Sequence, residues 1–266
     1  TNKRFIATQI WPLLEKALFE PLLESDRLIL ILSGRHYAPR WRRVEVRRRA
    51  VYEHVQPFTK EMQQEQLAKL GVSEVTIFNQ QLFPFTGGNP YLARQLAKAT
   101  ISLKFDSQLI KQNFEQSEKF KNECLRILRS YLNNILAEVD HDLRRHLNKL
   151  APLRFYRVEA LRTMLESDPN DEKKYLDVRL LQILRRLESE TDVVRWDNGR
   201  NAYVTASVIR KVLNQVKRLE AEAKFRHSHQ RALAMYWDLA ERYPENSPVY
   251  LTEIIFHQAT LDKLQK

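Results

Sequence analysis

Glycine is scarce in this chain, and its scarcity limits the folds that are open to it. Only five glycines occur in 266 residues, and two of them are adjacent, at positions 87 and 88. The long segments elsewhere are rich in Leu, Arg, Lys and Glu, which are strong helix formers. Hydrophobic residues make up 43% of the chain and charged residues 29%, as in a globular protein with a buried core. The sequence therefore predicts a mainly α fold, with the length of roughly one to three small domains.

The glycine pair marks a sharp change of chain direction. An aromatic run at 82–85 precedes it, and an apolar pattern of helical period follows it from Pro90. Proline suits the first turn of a helix, where its missing N–H costs nothing, and glycine lets the backbone bend just before that turn. The start of a helix also presents free N–H groups and a positive dipole end. The stretch is consistent with an ordinary loop-to-helix junction and with an anion-binding one.

Residues 86–96, with the order Gly87, Gly88, Asn89, Pro90, resemble the Gly-Gly-x-Pro motif in the helical lid of STAND-type NTPases. These proteins are signal-transduction relatives of the AAA+ ATPases. The resemblance implies that Pro90 packs beside the adenine of bound ATP or ADP and that Gly88 belongs to the same nucleotide site.

The N-terminal quarter adds to this resemblance. The run 28–32 is aliphatic at every position, which predicts a strand covered on both faces. With Arg35 and Trp41 after it, the run is similar to the last core strand of STAND ATPases, and the resemblance implies that Arg35 senses the γ-phosphate. A surface arginine after a strand is the other interpretation. Residues 55–62 resemble the family's approach to the lid, with Thr59 as a helix N-cap.

One buried strand needs a sheet, and no other strand of a P-loop core is visible. No Gly-x-x-x-x-Gly-Lys-Ser/Thr loop occurs, and no strand ends in the acidic residues that hold Mg²⁺. We therefore expect residues 1–55 to be a remnant of an α/β nucleotide-binding core, ATP or ADP to bind only together with a missing N-terminal core, and ATP not to be hydrolysed by this chain alone. The open strand, through Ile29 and Ile31, predicts self-association or a partner that covers it.

The chain has a net charge of +11, and its basic residues are most concentrated at 40–49, where six of ten residues are arginine. Such a run suits phosphates or an acidic protein neighbour, and is also common on a solvated face.

Residues 117–222 predict a winged helix, a variant of the helix-turn-helix. Helices at 118–136, 143–150, 159–166 and 172–187 accompany a short β-like segment at 155–158, and a hairpin is centred on Asn198 and Gly199. On the helix 172–187, Leu180 and its apolar neighbours form the buried stripe. Residues suited to base edges and DNA phosphates lie opposite and on the hairpin: Arg179, Gln182, Arg186, Arg195 and Arg200. DNA binding is one interpretation, and packing between domains, as the STAND resemblance implies, is the other.

Residues 223–266 predict a helical hairpin that resembles the start of the superhelical repeats in STAND proteins, which would bind a protein ligand. His257 is expected to be packed and hydrogen-bonded, and His227 and His229 point in different directions on one helix, so chelation is not expected. The single cysteine, Cys124, is expected in the core. No membrane span or secretory signal is visible, which makes the cytoplasm the default location.

The fold expected is mainly α, with a core remnant at 1–55, a helical lid at 56–116, a winged helix at 117–222 and a helical hairpin at 223–266. The function that the resemblance implies is that of an ATP-dependent molecular switch without catalysis by this chain alone. A DNA-binding regulator and a protein-interaction scaffold are the alternatives.

Overall fold

A computed structural model describes residues 10–24, 43–51, 56–72, 74–103, 117–165 and 177–264. This part is mainly helical, as predicted. The chain divides into two compact units, Thr1–Gln56 and Pro57–Lys266. The predicted strand at 28–32, Arg35 and Trp41 lie outside the described residues.

The first unit contains a helix in three parts and one short helix. The three parts are α1 (Trp11–Leu14), a π-helical turn (Glu15–Phe19) and α2 (Glu20–Glu24), and the short helix is α3 (Val44–Arg49). Arg43 joins them, because its backbone N–H donates to Glu15 Oε1 at 2.5 Å and its guanidinium pairs with Glu20 at 2.6 Å. One arginine of the basic run thus binds an acidic side chain within this unit.

The second unit begins with three helices: α4 (Lys60–Lys69), α5 (Val75–Thr86) and α6 (Pro90–Ser102). Thr59 caps α4 by accepting the Met62 N–H, which confirms the predicted cap. The aromatic run 82–85 lies inside α5, although Pro84 cannot donate to the helix. Apolar side chains on the inner faces form the core of this bundle: Leu67, Phe78, Leu82, Leu92 and Leu96.

Two further helices connect this bundle to the rest of the unit. The helix α7 (Glu118–Ile135) packs on α6, and its residue Cys124 is buried, as predicted. The helix α11 (Ser207–Glu220) packs on α5 and α7 and also on the helix that follows it. It thereby joins the first helices of the second unit, α5 and α7, to the helix that follows it.

Between α7 and α11 lie α8 (His141–Leu150), α9 (Val158–Leu165), α10 (Asp177–Thr191) and the antiparallel strands β1 (Val194–Asp197) and β2 (Ala202–Thr205). Tyr156 adds a single bridge to Tyr203 of β2. The helices predicted at 118–136, 143–150 and 159–166 and the predicted hairpin are therefore confirmed. Of the helix predicted at 172–187, residues 177–187 are helical, and 172–176 lie outside the described residues. Of the predicted apolar stripe, the described members are all buried: Leu180, Ile183, Leu184 and Leu187.

The hairpin turn differs from the tight Asn-Gly turn that the sequence favours. The left-handed residue is Asn201, with φ 46°, and not Gly199. Asp197 explains the difference, since its Oδ1 accepts the N–H groups of Gly199 and Arg200 at 3.0 and 3.2 Å. A side chain that bonds the backbone two residues on makes its own turn and lengthens the loop.

The chain ends in the predicted helical hairpin. It consists of α12 (Glu222–Arg242), a 3₁₀ turn (Pro244–Asn246) and α13 (Ser247–Asp262). The two helices pack along one another, and α12 also packs on α9 and α11. Residues 57–266 thus form one compact unit across the predicted boundaries at 116 and 222.

Candidate functional site

The junction between α5 and α6 is built on two left-handed glycines. Gly87 has φ 58° and Gly88 has φ 83°. A Cβ on Gly88 would lie 2.3 Å from the Phe58 carbonyl oxygen, so no other residue fits without moving the backbone. The Phe58 N–H donates to the Gly88 carbonyl at 2.7 Å. Gly88 therefore ties the segment before α4 to the start of α6.

A buried polar network lies under this junction. Gln63 donates to Asn79 Oδ1 at 2.9 Å and accepts from the Thr86 hydroxyl at 2.6 Å, and Asn79 donates to the Lys60 carbonyl at 2.8 Å. The Gly88 N–H donates to Thr86 Oγ1 at 3.2 Å. All three polar side chains are buried. Because buried polar groups are costly unless they are bonded, this network fixes the conformation of the junction.

The start of α6 is bonded to α7. Asn89 caps α6 by accepting the Leu92 N–H at 3.0 Å, and its Nδ2 donates to the Tyr131 hydroxyl at 2.9 Å. The Tyr91 ring stacks on the Tyr131 ring with centroids 6.3 Å apart. Both neighbours of Pro90 thus contact one residue of α7.

The sequence led us to expect several free N–H groups at the start of α6, and the structure corrects this expectation. Asn89 takes the Leu92 N–H, Pro90 has none, and the Ala93 N–H begins the helical bonding. Within the described residues, only the Tyr91 N–H of this first turn has no acceptor. The helix dipole remains, but this turn can offer an anion only one N–H group, that of Tyr91.

Cations surround the aromatic end of α5. The ammonium groups of Lys60 and Lys211 each lie 5.9 Å from the Phe83 ring centroid, and Arg218 lies 5.9 Å from that of Phe85. Burial, and then the charge of Arg210, lower the pKa of Lys211. The side chain of Lys211 also covers Gly87, where an added Cβ would lie 2.9 Å from Lys211 Cδ. Through Lys211, α11 contacts the junction directly.

The structure describes two of the three residues predicted to bind nucleotide, Gly88 and Pro90. Gly88 is buried with both of its backbone groups bonded inside the protein, and Pro90 is exposed beside it. Pro90 is thus the member that a ligand can touch, and Gly88 shapes the turn that presents it. Arg35 lies outside the described residues.

The predicted DNA residues of α10 share one exposed side. Arg179, Gln182 and Arg186 are all exposed there. The Arg186 guanidinium is engaged, because Nε and Nη2 donate to Glu190 at 2.9 and 3.1 Å. This pair, one helical turn apart, would have to open before Arg186 could bind a base or a phosphate.

The two predicted DNA residues of the hairpin are exposed as well. Arg195 lies on β1, and Arg200 lies in the turn with Nε 3.9 Å from Asp197 Oδ2. Trp196 is 39% exposed next to Arg195 and meets Tyr203 edge to face at 5.0 Å. The hairpin therefore presents an aromatic and basic edge.

Sequence patterns did not reveal the residues that support the Pro90 turn. Gln63, Asn79 and Thr86 stand at core positions of helical patterns, and a polar residue there is the one available signal. The sequence does not indicate which of these residues bond each other, since Asn79 and Thr86 lie 16 and 23 positions after their partner Gln63.

Neither a metal-binding cluster nor a membrane-spanning helix occurs among the residues described. No three His, Cys, Asp or Glu side chains come close enough to hold a metal ion. No helix of that part has the length and apolar character needed to cross a bilayer.

No family model, curated protein or solved structure matches this chain.

Proposed function

We propose that the chain is the lid and regulatory part of an ATP-dependent switch of the STAND type, in which adenine packs against Pro90. The observation that carries the proposal is the position of Pro90. It is exposed on a turn fixed by buried groups, and its neighbours Asn89 and Tyr91 both contact Tyr131 of α7. A ligand on Pro90 would therefore act on the helix next to it and not only on a loop.

The packing supports a route from this turn to the rest of the second unit. Tyr131 lies on α7, α7 packs on α11, and α11 packs on the helical hairpin. Lys211 of α11 covers Gly87. A nucleotide that binds one arrangement of these helices better than another would shift their equilibrium by that difference in affinity. In this proposal an N-terminal core, with Arg35, binds the phosphates, 117–222 is a winged helix that transmits the change, and 223–266 receives a protein ligand.

The first prediction concerns ATP and the chain alone. The chain offers Pro90 as a surface for adenine, but its sequence contains no phosphate-binding loop. We therefore expect no micromolar ATP binding that depends on Pro90. Calorimetric titration of the wild type and Pro90→Ala tests this, with Tyr243→Ala, another exposed apolar side chain, as the control. Micromolar binding that Pro90→Ala alone removes would show that this chain needs no separate core.

The second candidate function is DNA binding through α10 and the hairpin. It is favoured by the exposure of Arg179 and Gln182 on one side of α10 and of Trp196 and Arg195 on β1. It is weakened by the Arg186–Glu190 pair.

The second prediction separates the two functions. If the winged helix serves packing, binding to duplex DNA will be weak, independent of sequence and steeply reduced between about 50 and 200 mM salt, because phosphate contacts alone release counterions. Fluorescence anisotropy with several duplexes measures this. Tight binding to one duplex that survives moderate salt, and is lost in Arg179→Ala but not in the matched surface variant Arg242→Ala, would favour the DNA-binding regulator.

A further inference from the structure

A cavity opens where the ends of four helices of the second unit meet, and none of its lining residues belongs to the Pro90 turn. Its volume is about 580 Å³, and its walls come from α8, α9, α11 and α12. Small-molecule sites typically have a volume of this order, whereas a nucleic acid duplex needs an open groove. Met164, Val216 and Ala221 contribute apolar wall, and more of the exposed wall is apolar than polar. The other residues that line the cavity carry polar or charged groups.

The walls of this cavity are strongly basic. Four cationic side chains line it: Lys149, Lys217, Lys224 and Arg231. One carboxylate, that of Glu220, also lines it, and Arg129 already binds that group at 2.8 Å. Across the part of the chain that the structure covers, none of the four cations forms an ion pair with a carboxylate. The cavity therefore carries an excess of positive charge that the protein does not neutralise.

Three of the four cations are held in place by single bonds to backbone carbonyls. Lys217 donates to the Asn148 carbonyl at 2.8 Å, Lys149 donates to the Leu165 carbonyl at 3.2 Å, and Arg231 donates to the Thr163 carbonyl. These carbonyls lie in the last turns of α8 and α9, where cations are favourable. An ammonium has three donors and a guanidinium five, so each side chain is positioned and still has donors for a ligand.

Burial makes this arrangement costly without an anion. It lowers the pKa of Lys217 to about 8 and also lowers the pKa of Arg231. Removing a cation from water without a counter-ion disfavours its charged form. An anion in the cavity would supply the missing charge and raise both pKa values again.

From this geometry we infer that the cavity is a binding site for a small molecule that bears a polyphosphate group. A single negative charge cannot satisfy four cations on three helices, whereas linked phosphates present several charges and many acceptor oxygens. Lysine and arginine are the usual partners of phosphate oxygens. A bound molecule would join α8 and α9 to α11 and α12, and would thereby stabilise the packing of the terminal helical hairpin on the preceding segment.

The test is calorimetric titration of the full chain with sodium tripolyphosphate at constant ionic strength. We expect one saturable site per chain, and a thermal unfolding midpoint that rises with ligand concentration. Lys224→Glu should weaken binding by at least about tenfold, which is the effect of losing one charge-assisted bond and adding repulsion. Lys224 is exposed and bonds nothing in the described structure, so its replacement should leave the fold intact.

Lys119→Glu is the matched control. Lys119 is also an exposed lysine in the first turn of a long helix, so both variants change the net charge and the helix dipole alike. It should change the affinity by no more than about twofold, because distant exposed charges are screened. Equal losses in the two variants, or no saturable binding in the wild type, would overturn the inference.

ATP as a second ligand identifies the source of the phosphates and separates this site from Pro90. Binding of ATP that Lys224→Glu removes and Pro90→Ala keeps supports the cavity. In that case, a tighter affinity than that of tripolyphosphate means that the apolar wall holds the base, and an equal affinity means that only phosphates are recognised. Binding of ATP that Pro90→Ala removes and Lys224→Glu keeps, without tripolyphosphate binding, contradicts the cavity site and leaves the switch proposal to be judged by itself.

Discussion

At the scale of single residues, Gly88 is the position of the Pro90 turn that tolerates substitution least. It combines a left-handed backbone with direct contact to the Phe58 backbone. Gly71 shares the first property, with φ 75°, but a Cβ there would meet nothing within 4 Å. The two positions therefore separate the cost of the backbone conformation from the cost of the close approach.

The third prediction uses this pair. Gly71→Ala should lower the free energy of unfolding by about 1 kcal/mol, which is the cost of a left-handed alanine. Gly88→Ala should lower it by about 3 kcal/mol or more, because the turn must also move away from Phe58. Urea unfolding of both variants measures the difference. Equal costs would mean that the Phe58 contact relaxes freely and does not fix the turn.

Local patterns in the sequence predicted this turn well, and they failed for its surroundings. The glycine pair, Pro90 at the first helical position and the Thr59 cap depend on neighbouring residues and are confirmed. The approach of Phe58 to Gly88 brings together residues thirty positions apart, and no local preference encodes it.

At the scale of elements, the terminal hairpin is held by a buried histidine pair. His229 of α12 and His257 of α13 have their Nδ1 atoms 2.9 Å apart. One ring must donate and the other accept, so the accepting ring must be neutral, and burial disfavours a charge on either ring. Burial lowers the pKa of His229 to about 4 and that of His257 to about 3. The expectation of a packed, hydrogen-bonded His257 is confirmed.

The fourth prediction is a loss of stability in mild acid. Well above pH 6.5, which is the ordinary pKa of histidine, neither the folded nor the unfolded chain binds a proton at these rings. As the pH falls from 6.5 towards 4, the unfolded chain binds protons at these rings and the folded chain does not. The free energy of unfolding therefore falls. At pH 5 the cost is about 2 kcal/mol for each histidine.

Denaturant titrations between pH 7 and pH 5 measure this loss. The double variant His229→Gln, His257→Gln should show a flatter dependence than the wild type, and the exposed His227→Gln should keep the wild-type dependence. A wild-type stability that does not change over this range would contradict the buried neutral pair.

Elements were predictable from the sequence to the extent that their signals are periodic. The helices of the second unit follow the apolar pattern, and the β1–β2 hairpin follows its flanking runs. The turn inside the hairpin was predicted less well, because the Asp197 side chain determines it. The pairing of His229 with His257 was missed, since it depends on how two helices pack.

At the scale of the whole molecule, the second unit has a continuous series of bonded elements. Tyr131 joins α6 to α7, and α11 packs on α5, α7 and α12. Farther along, Arg154 donates to both oxygens of the buried Glu253 at 2.9 and 3.0 Å, and the Tyr236 hydroxyl donates to the Phe155 carbonyl at 3.1 Å. The segment before α9 is thereby bonded to the helical hairpin. This series of contacts joins the Pro90 turn to the terminal helical hairpin.

The central claim is that adenine packs against Pro90, and photolabelling tests it most directly. The protein used is the product of the complete open reading frame, which the proposal expects to contain a phosphate-binding loop within about 200 residues before Thr1. After irradiation with an azidoadenine form of ADP and digestion with trypsin, the label should lie on peptide 70–94, between Lys69 and Arg94. Pro90→Ala should reduce that label, and Tyr243→Ala should not. A protein without such a loop, or one that binds ADP and carries its label elsewhere, would contradict the account.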